Sequence, residues 1–158
     1  GSGGMASLIP LVAKGGAAAE APANVNANYI LGIAGARLAA DFEEGVGGAS
    51  PGLNHPISGV TPIVNGVWYH AAATYDGTTW RLYLNGVLET QLTVGQPVRS
   101  DSLQHAGLGA NIDSVGSAAG SFHGALDEVR IWNFARSAEQ IRADLNSELT
   151  SGTGLVAR

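Results

Sequence analysis

Val67-Trp68-Tyr69-His70-Ala71-Ala72-Ala73-Thr74-Tyr75-Asp76-Gly77-Thr78-Thr79-Trp80-Arg81-Leu82-Tyr83-Leu84-Asn85-Gly86 is the stretch that decides the fold. Residues 67–75 are rich in β-formers, and Asp76-Gly77-Thr78 has turn chemistry. Trp80 to Leu84 resumes an alternation that puts Trp80, Leu82 and Leu84 on one face and Arg81 and Tyr83 on the other. Asn85-Gly86 accepts the positive φ that a type I′ turn needs at both central positions, so Val87 to Val94 must fold back as a third antiparallel strand. Trp80 is accordingly assigned to a core beneath this sheet.

Working outward, Leu8 to Ala13 is a short apolar run stopped by Gly15-Gly16, and Pro10 argues for an edge position or a strand start. Gly15 to Asn26 lacks periodicity and reads as a loop. Residues near 28–43 read as a hairpin, with Tyr29 to Ile33 and Arg37 to Phe42 separated by Gly35, and a loop follows from Glu44 to about Pro56. Beyond the central hairpins, Leu103 to Ala110 forms a strand and Asn111 to Gly120 a glycine-rich loop. The last strand is Phe122 to Asn133. Phe122, Gly124 and Leu126 keep period two, but Val129 and Ile131 are off by one, which predicts a β-bulge at Asp127-Glu128 that re-aims Asp127. Ser137 and Gln140 form a capping box opening a helix with Ile141, Leu145 and Leu149 on one stripe. The pattern is all-β, a two-sheet antiparallel sandwich with one short C-terminal helix, in a single domain over residues 1–158. Residues 1–7 are a flexible lead-in and 150–158 a tail.

Composition narrows the function. Charged residues are only 13% of the chain, about half the usual share, and much of the apolar 45% is alanine, so the core is built from small side chains. One lysine stands against seven arginines scattered along a chain of net charge −5, which leaves no electrostatic footprint for nucleic acid. No apolar run approaches the roughly 20 residues that cross a bilayer. With no cysteine there is no disulfide, thiolate catalysis or cysteine metal site. The histidines, His55, His70, His105 and His123, lack i, i+4 spacing, and no zinc site is expected. Trp68 and Trp132 are read as packing residues rather than sugar platforms.

The block from Val67 to Gly86 and the block Phe122-His123-Gly124-Ala125-Leu126-Asp127-Glu128-Val129-Arg130-Ile131-Trp132-Asn133 with Ala135-Arg136-Ser137 resemble the central hairpins and the closing strand and helix of the laminin-G-like jelly roll. That fold lies within the concanavalin A-like lectin/glucanase superfamily and is related to the pentraxins. The resemblance implies a non-catalytic module of a secreted or cell-surface protein, serving adhesion or assembly. A calcium-dependent carbohydrate-binding module and a self-assembling structural subunit are the alternatives. The strands that open the family's fold are not in this sequence, and Gly154-Leu155-Val156-Ala157-Arg158 resembles the lead-in to a following repeat. On that basis the opening strands come from elsewhere in a longer chain or from a neighbouring copy.

The resemblance also bears on chemistry. Superfamily glucanases carry a Glu-x-Asp-x-x-Glu pattern. Here Asp41, Glu43 and Glu44 are the nearest acids, but Ala39 takes the first position, so they are read as a solvated strand end and no catalytic residue is assigned. The loop Leu108 to Asp113 is similar to the pentraxin calcium segment. This implies Ca²⁺ ligands Asn111 and Asp113, the Ile112 carbonyl, and Asn28 from a second strand, with Ala27 where pentraxins carry an aspartate. Asp127 matches an aspartate that helps hold a structural calcium in related jelly rolls, and a carboxylate capping the bulge is its simpler reading. No ligand-binding residue beyond these is assigned.

Overall fold

Apolar side chains from two layers of strands meet in the core, and Leu38 to Asp41 are buried on both faces of their strand. The computed structural model describes residues 8–16 and 27–158. The first layer is a five-stranded antiparallel sheet. In sheet order it comprises β4 (Ile57–Pro62), β3 (Arg37–Asp41), β2 (Tyr29–Ala34), β1 (Ile9–Lys14) and β8 (Ala106–Leu108). The second layer contains β5 (Ala71–Tyr75), β6 (Thr79–Leu84) and β7 (Val87–Thr93). Two small ladders complete the strands among the described residues, β9 (Asn111–Ile112) with β10 (Ala118–Ala119) and β11 (Ile131–Trp132) with β12 (Leu155–Ala157). The helix α1 spans Ala138–Ala143.

Leu11, Leu38, Ala40, Phe42 and Ile57 of the first layer pack against Trp80, Leu82 and Leu84 of the second, as the alternation in the central strand requires. Phe42 and Trp80 meet edge to face at 5.2 Å. Leu82 is fully buried at this interface, and truncating such a leucine to alanine costs about 2–5 kcal/mol. Alanines 13, 39 and 40 are buried too, so the small-residue core is present.

Local signals are realised where they were strong. Asn85 and Gly86 have φ of 50° and 73°, and Gly35 and Ala36 turn β2 into β3 in the same left-handed region. Asp76 caps the β5–β6 turn, its carboxylate accepting from the amides of Thr78 and Thr79 at 2.9 and 2.7 Å. The capping box is complete, with Gln140 N donating to Ser137 Oγ and Ser137 N to Gln140 Oε1.

Several expectations need correcting. Of the two readings of Pro10, the strand start holds, since it is the second residue of β1, whereas the edge position does not, since β1 lies between β2 and β8. Pro10 is tolerated because β8 pairs only with Val12 to Lys14 and the β1–β2 register shifts between Pro10 and Val12. Residues 57–62, unassigned in the sequence, form β4. The strand expected from Val67 begins only at Ala71, and Trp68 is 68% exposed rather than packed. The expected closing strand forms a ladder only at Ile131 and Trp132, because residues 122–130 have no strand partner among the described residues. Glu128 sits at φ 49°, so the backbone does depart from a regular strand at the anticipated place. The glycine-rich loop contains the β9–β10 hairpin. Helix α1 ends at Ala143, well short of Leu149, and buries only Ile141. The tail forms β12, antiparallel to β11. The lead-in 1–7 and most of the Gly15 to Asn26 loop lie outside the described residues.

Candidate functional site

The end of β3 carries the greatest concentration of buried charge. Asp41, Glu43 and Glu44 are all buried, which overturns the reading of a solvated strand end. Burial follows from what crosses them. Glu43 bridges to Asn54 and Glu44 to Val98, so the loop 45–55 and the segment around Arg99 close over the strand. Each carboxylate has internal partners. Asp41 Oδ1 accepts from His55 N at 2.9 Å. Glu43 Oε2 lies 3.4 Å from Arg99 Nη1, and Arg99 Nε is 2.8 Å from Asp101 Oδ1. Glu44 accepts from Ser50 N through one oxygen and faces His55 Nε2 at 3.2 Å through the other.

Burial pushes the Asp41 carboxyl up to about 6, against the amides of His55 and Phe42 and with a smaller push from the charge of Glu43. Glu43 is raised for the same reason, with Arg99 opposing. A carboxyl titrating near neutrality beside a second acid is the electrostatic signature of an acid–base site. Here, however, the groups point into loop amides, an arginine and a histidine. Their arrangement anchors the loop 45–55 to the sheet. His55 and Arg99 were not legible as partners, because neither sits in a local pattern with the acids.

The residues assigned to calcium are dispersed over three places. Asn28 and Asn111 both approach the end of β1. The Asn28 amide donates to Lys14 O at 2.9 Å, and Asn111 Nδ2 donates to Gly16 O at 3.2 Å. The Asn28 side-chain oxygen accepts from Ser102 N at 3.2 Å, whereas Asn111 Oδ1 is buried with no hydrogen-bond partner among the described residues. Asp113 sits at the β9–β10 turn, where its Oδ1 accepts from Val115 N at 3.0 Å and Ser117 N at 2.6 Å. Asp127 is exposed, and its carboxylate accepts from the neighbouring Glu128 N at 2.9 Å. No group of three His, Cys, Asp or Glu side chains is placed to hold a metal among the described residues. The donor set is therefore one free amide oxygen, one carboxylate already taking two amides, and carbonyls.

The two-layer antiparallel arrangement with a short capped helix is that of a jelly-roll sandwich. The chain belongs to the concanavalin A-like lectin/glucanases superfamily, whose laminin G profile matches residues 11–142. Over 106 residues it is 32% identical to the sushi, von Willebrand factor type A, EGF and pentraxin domain-containing protein 1 of Rattus norvegicus and 31% identical to that of Mus musculus. These matches cover 60% of this chain but 3% of each relative, so the chain spans a small part of their length. Among solved structures, a "putative carbohydrate binding protein" from Bacteroides ovatus ATCC 8483 has a TM-score of 0.62 at 23% identity. It covers 80% of this chain and 36% of that one, a likeness of fold. No helix among the described residues is long and apolar enough to cross a membrane.

Proposed function

We propose that the chain is a non-catalytic binding module of a secreted or cell-surface protein, taking glycan or protein ligands outside the cell. The observation that supports this reading is the internal engagement of Asp41, Glu43 and Glu44. A retaining glycosidase needs two carboxyl groups about 5 Å apart and open to the sugar. Here the acids nearest that role are buried and bonded to His55, Arg99 and Ser50. Family membership supports binding, since the named relatives carry a pentraxin domain and the solved neighbour is described by carbohydrate binding. The test is a glycan array and a panel of cell-surface proteins probed with the purified chain, alongside a hydrolysis assay. Retention without release of reducing ends is expected. Release that disappears in Glu43→Ala would overturn the reading.

Calcium-dependent binding is favoured by a second observation, the buried and unpaired Asn111 Oδ1. In this reading Asn111 Oδ1 is the one unengaged oxygen of the set, and Asn28, Asp113 and the Ile112 carbonyl would have to exchange their present amide donors for a hard cation, which when bound would offer further coordination positions to ligand hydroxyls. Neighbouring copies or repeats are the assembly partners, supported by the lack of a ladder partner for residues 122–130 among the described residues. Sedimentation as a monomer at all concentrations would remove neighbouring copies from the proposal.

A further inference from the structure

Asn65-Gly66-Val67 and Asn85-Gly86-Val87 are the same tripeptide placed in two different turns. Chemistry that depended on local sequence alone would treat them alike. An asparagine followed by glycine is open to ring closure, in which the glycine nitrogen attacks the side-chain amide carbon, because no Cβ on the following residue hinders the approach. Two conditions decide whether a folded chain allows it. The side-chain amide must be free to turn onto the next nitrogen, and that nitrogen must be open to solvent base, which removes its proton.

The fold meets both conditions at one tripeptide and neither at the other. Asn85 Oδ1 accepts from His70 N at 2.9 Å, and the Asn85 amide donates to His70 O at 2.7 Å, so this residue is tied at both ends to the chain leading into β5. Gly86 is buried under Arg142 of α1, whose side chain a Cβ there would overlap. Asn65 and Gly66 instead form an exposed turn between β4 and β5, where neither the Asn65 side chain nor the Gly66 amide has a hydrogen-bond partner among the described residues. Gly66 takes φ +77°, and a Cβ there would meet nothing within 4 Å. The related dipeptide Asp76-Gly77 is held back by its side chain. That carboxylate accepts from Thr78 N and Thr79 N and pairs with Arg81 Nη1 at 2.6 Å, contacts that keep it ionised and therefore a poor target for attack.

We propose that Asn65 is a self-modification site, converting to aspartate and isoaspartate with water as the only reagent, while the fold protects Asn85. The Gly66 nitrogen loses its proton to base and bonds to Asn65 Cγ. The Cγ–Nδ2 bond breaks, and ammonia leaves with a proton to give a five-membered succinimide. Water then adds to either ring carbonyl, which restores the main chain as aspartate or reroutes it through the side chain as isoaspartate. The sum is asparagine plus water to acid plus ammonia, with no change of oxidation state. The new carboxylate lies beside exposed Val64, Val67 and Trp68, in a stretch that has no Asp, Glu, Lys or Arg from residue 45 to residue 75. A segment uncharged at synthesis thus acquires a negative charge with age.

The test is to incubate the purified chain in mildly alkaline water labelled with heavy oxygen, folded and in denaturant, and to follow label uptake by mass spectrometry. Tryptic peptides ending at Arg81 and Arg99 separate the two asparagines, and fragmentation places the label within each. In denaturant the two identical tripeptides should convert at similar rates. In the folded chain Asn65 should keep that rate and exceed Asn85 roughly tenfold, the protection expected where a side-chain hydrogen bond must first open. The converted protein should melt with the unmodified one, since the turn has room for the rerouted chain. Gly66→Ala should slow the Asn65 reaction in both states, because its methyl group obstructs ring closure. Equal folded-state rates at Asn65 and Asn85, or a folded-state rate at Asn65 as low as that of Asn85, would overturn the proposal. So would conversion undiminished in Gly66→Ala, which would mean direct hydrolysis without the ring.

Discussion

The carboxylate of Glu89 on β7 accepts from both the amide and the hydroxyl of Thr61 on β4, each at 2.8 Å, and from the amide of Val60 at 2.7 Å. One side chain from the second layer thus satisfies backbone donors of the first layer's edge strand, stitching the two sheets along one side. Gly59 belongs to the same clasp, since a Cβ there would lie 2.9 Å from Glu89 Oε2.

Glu89→Ala is expected to destabilise the fold by about 1–2 kcal/mol, read as a fall in Tm of several degrees. Burial disfavours the ionised form, but the Thr61 and Val60 donors outweigh it and hold the carboxyl below its ordinary range. A depressed carboxyl stabilises above its unfolded value of 4.5 and loses that contribution as acid protonates it in the folded state. The difference between wild type and Glu89→Ala should therefore shrink in melts below that pH. A constant difference from neutrality to pH 3 would contradict the clasp.

Asp41 has the opposite sign. Its folded value of about 6 stands above the ordinary 3.8, so the folded chain binds this proton more tightly than the unfolded chain. Its contribution is most favourable below about pH 4 and is lost as pH rises to about 6, a change of about 2–3 kcal/mol at most. Asp41→Asn keeps the oxygen that accepts from His55 N and removes the buried charge. It should raise Tm at pH 7.5 and flatten the slope between pH 4 and 6, and a lower Tm at neutral pH would show that the ionised form is needed.

Gly86 is constrained twice, by its φ of 73° and by Arg142 of α1, whose side chain a Cβ would overlap and whose Nη1 donates to Gly86 O at 3.1 Å. Gly77, at φ 90°, has open space instead. Gly77→Ala should cost about 1 kcal/mol for backbone strain alone, and Gly86→Ala measurably more. Arg142→Ala introduced first should remove the excess. Chemical denaturation of the double-mutant cycle measures it, and additivity would deny the contact.

Calcium binding to the folded chain alone must raise its melting point, by about 2.7 kcal/mol of stability at a hundredfold excess over Kd. Millimolar calcium is expected to raise Tm in wild type and not in Asn111→Ala, with chelator reversing the rise. An unchanged melt in wild type would exclude the calcium site proposed at Asn28, Asn111 and Asp113, and an equal rise in Asn111→Ala would exclude Asn111 as a ligand.

What could be read in advance was local. The β5–β6–β7 meander, the Asn85-Gly86 turn and the Ser137–Gln140 capping box each depend on residues a few positions apart, where strand period and backbone geometry act directly. The strand β4 escaped notice because Gly59 and Pro62 weaken its pattern and its stitching comes from Glu89, 28 residues from Thr61. Asp41, Glu43 and Glu44 looked solvated because acids at a strand end usually are, and only Arg99, 56 residues from Glu43, and the loop at His55 bury them.

The amino-acid order by itself determined an antiparallel sandwich, through the alternation that buries Trp80, Leu82 and Leu84 and through glycines placed where φ must be positive. Tertiary structure alone decided which polar groups lost water. It turned Asp41, Glu43 and Glu44 inward, left residues 122–130 without a ladder among the described residues, and seated β12 on β11 beside Trp132. Such outcomes depend on which distant segments meet, and the free energy of a buried charge or an unpaired amide exists only once they do.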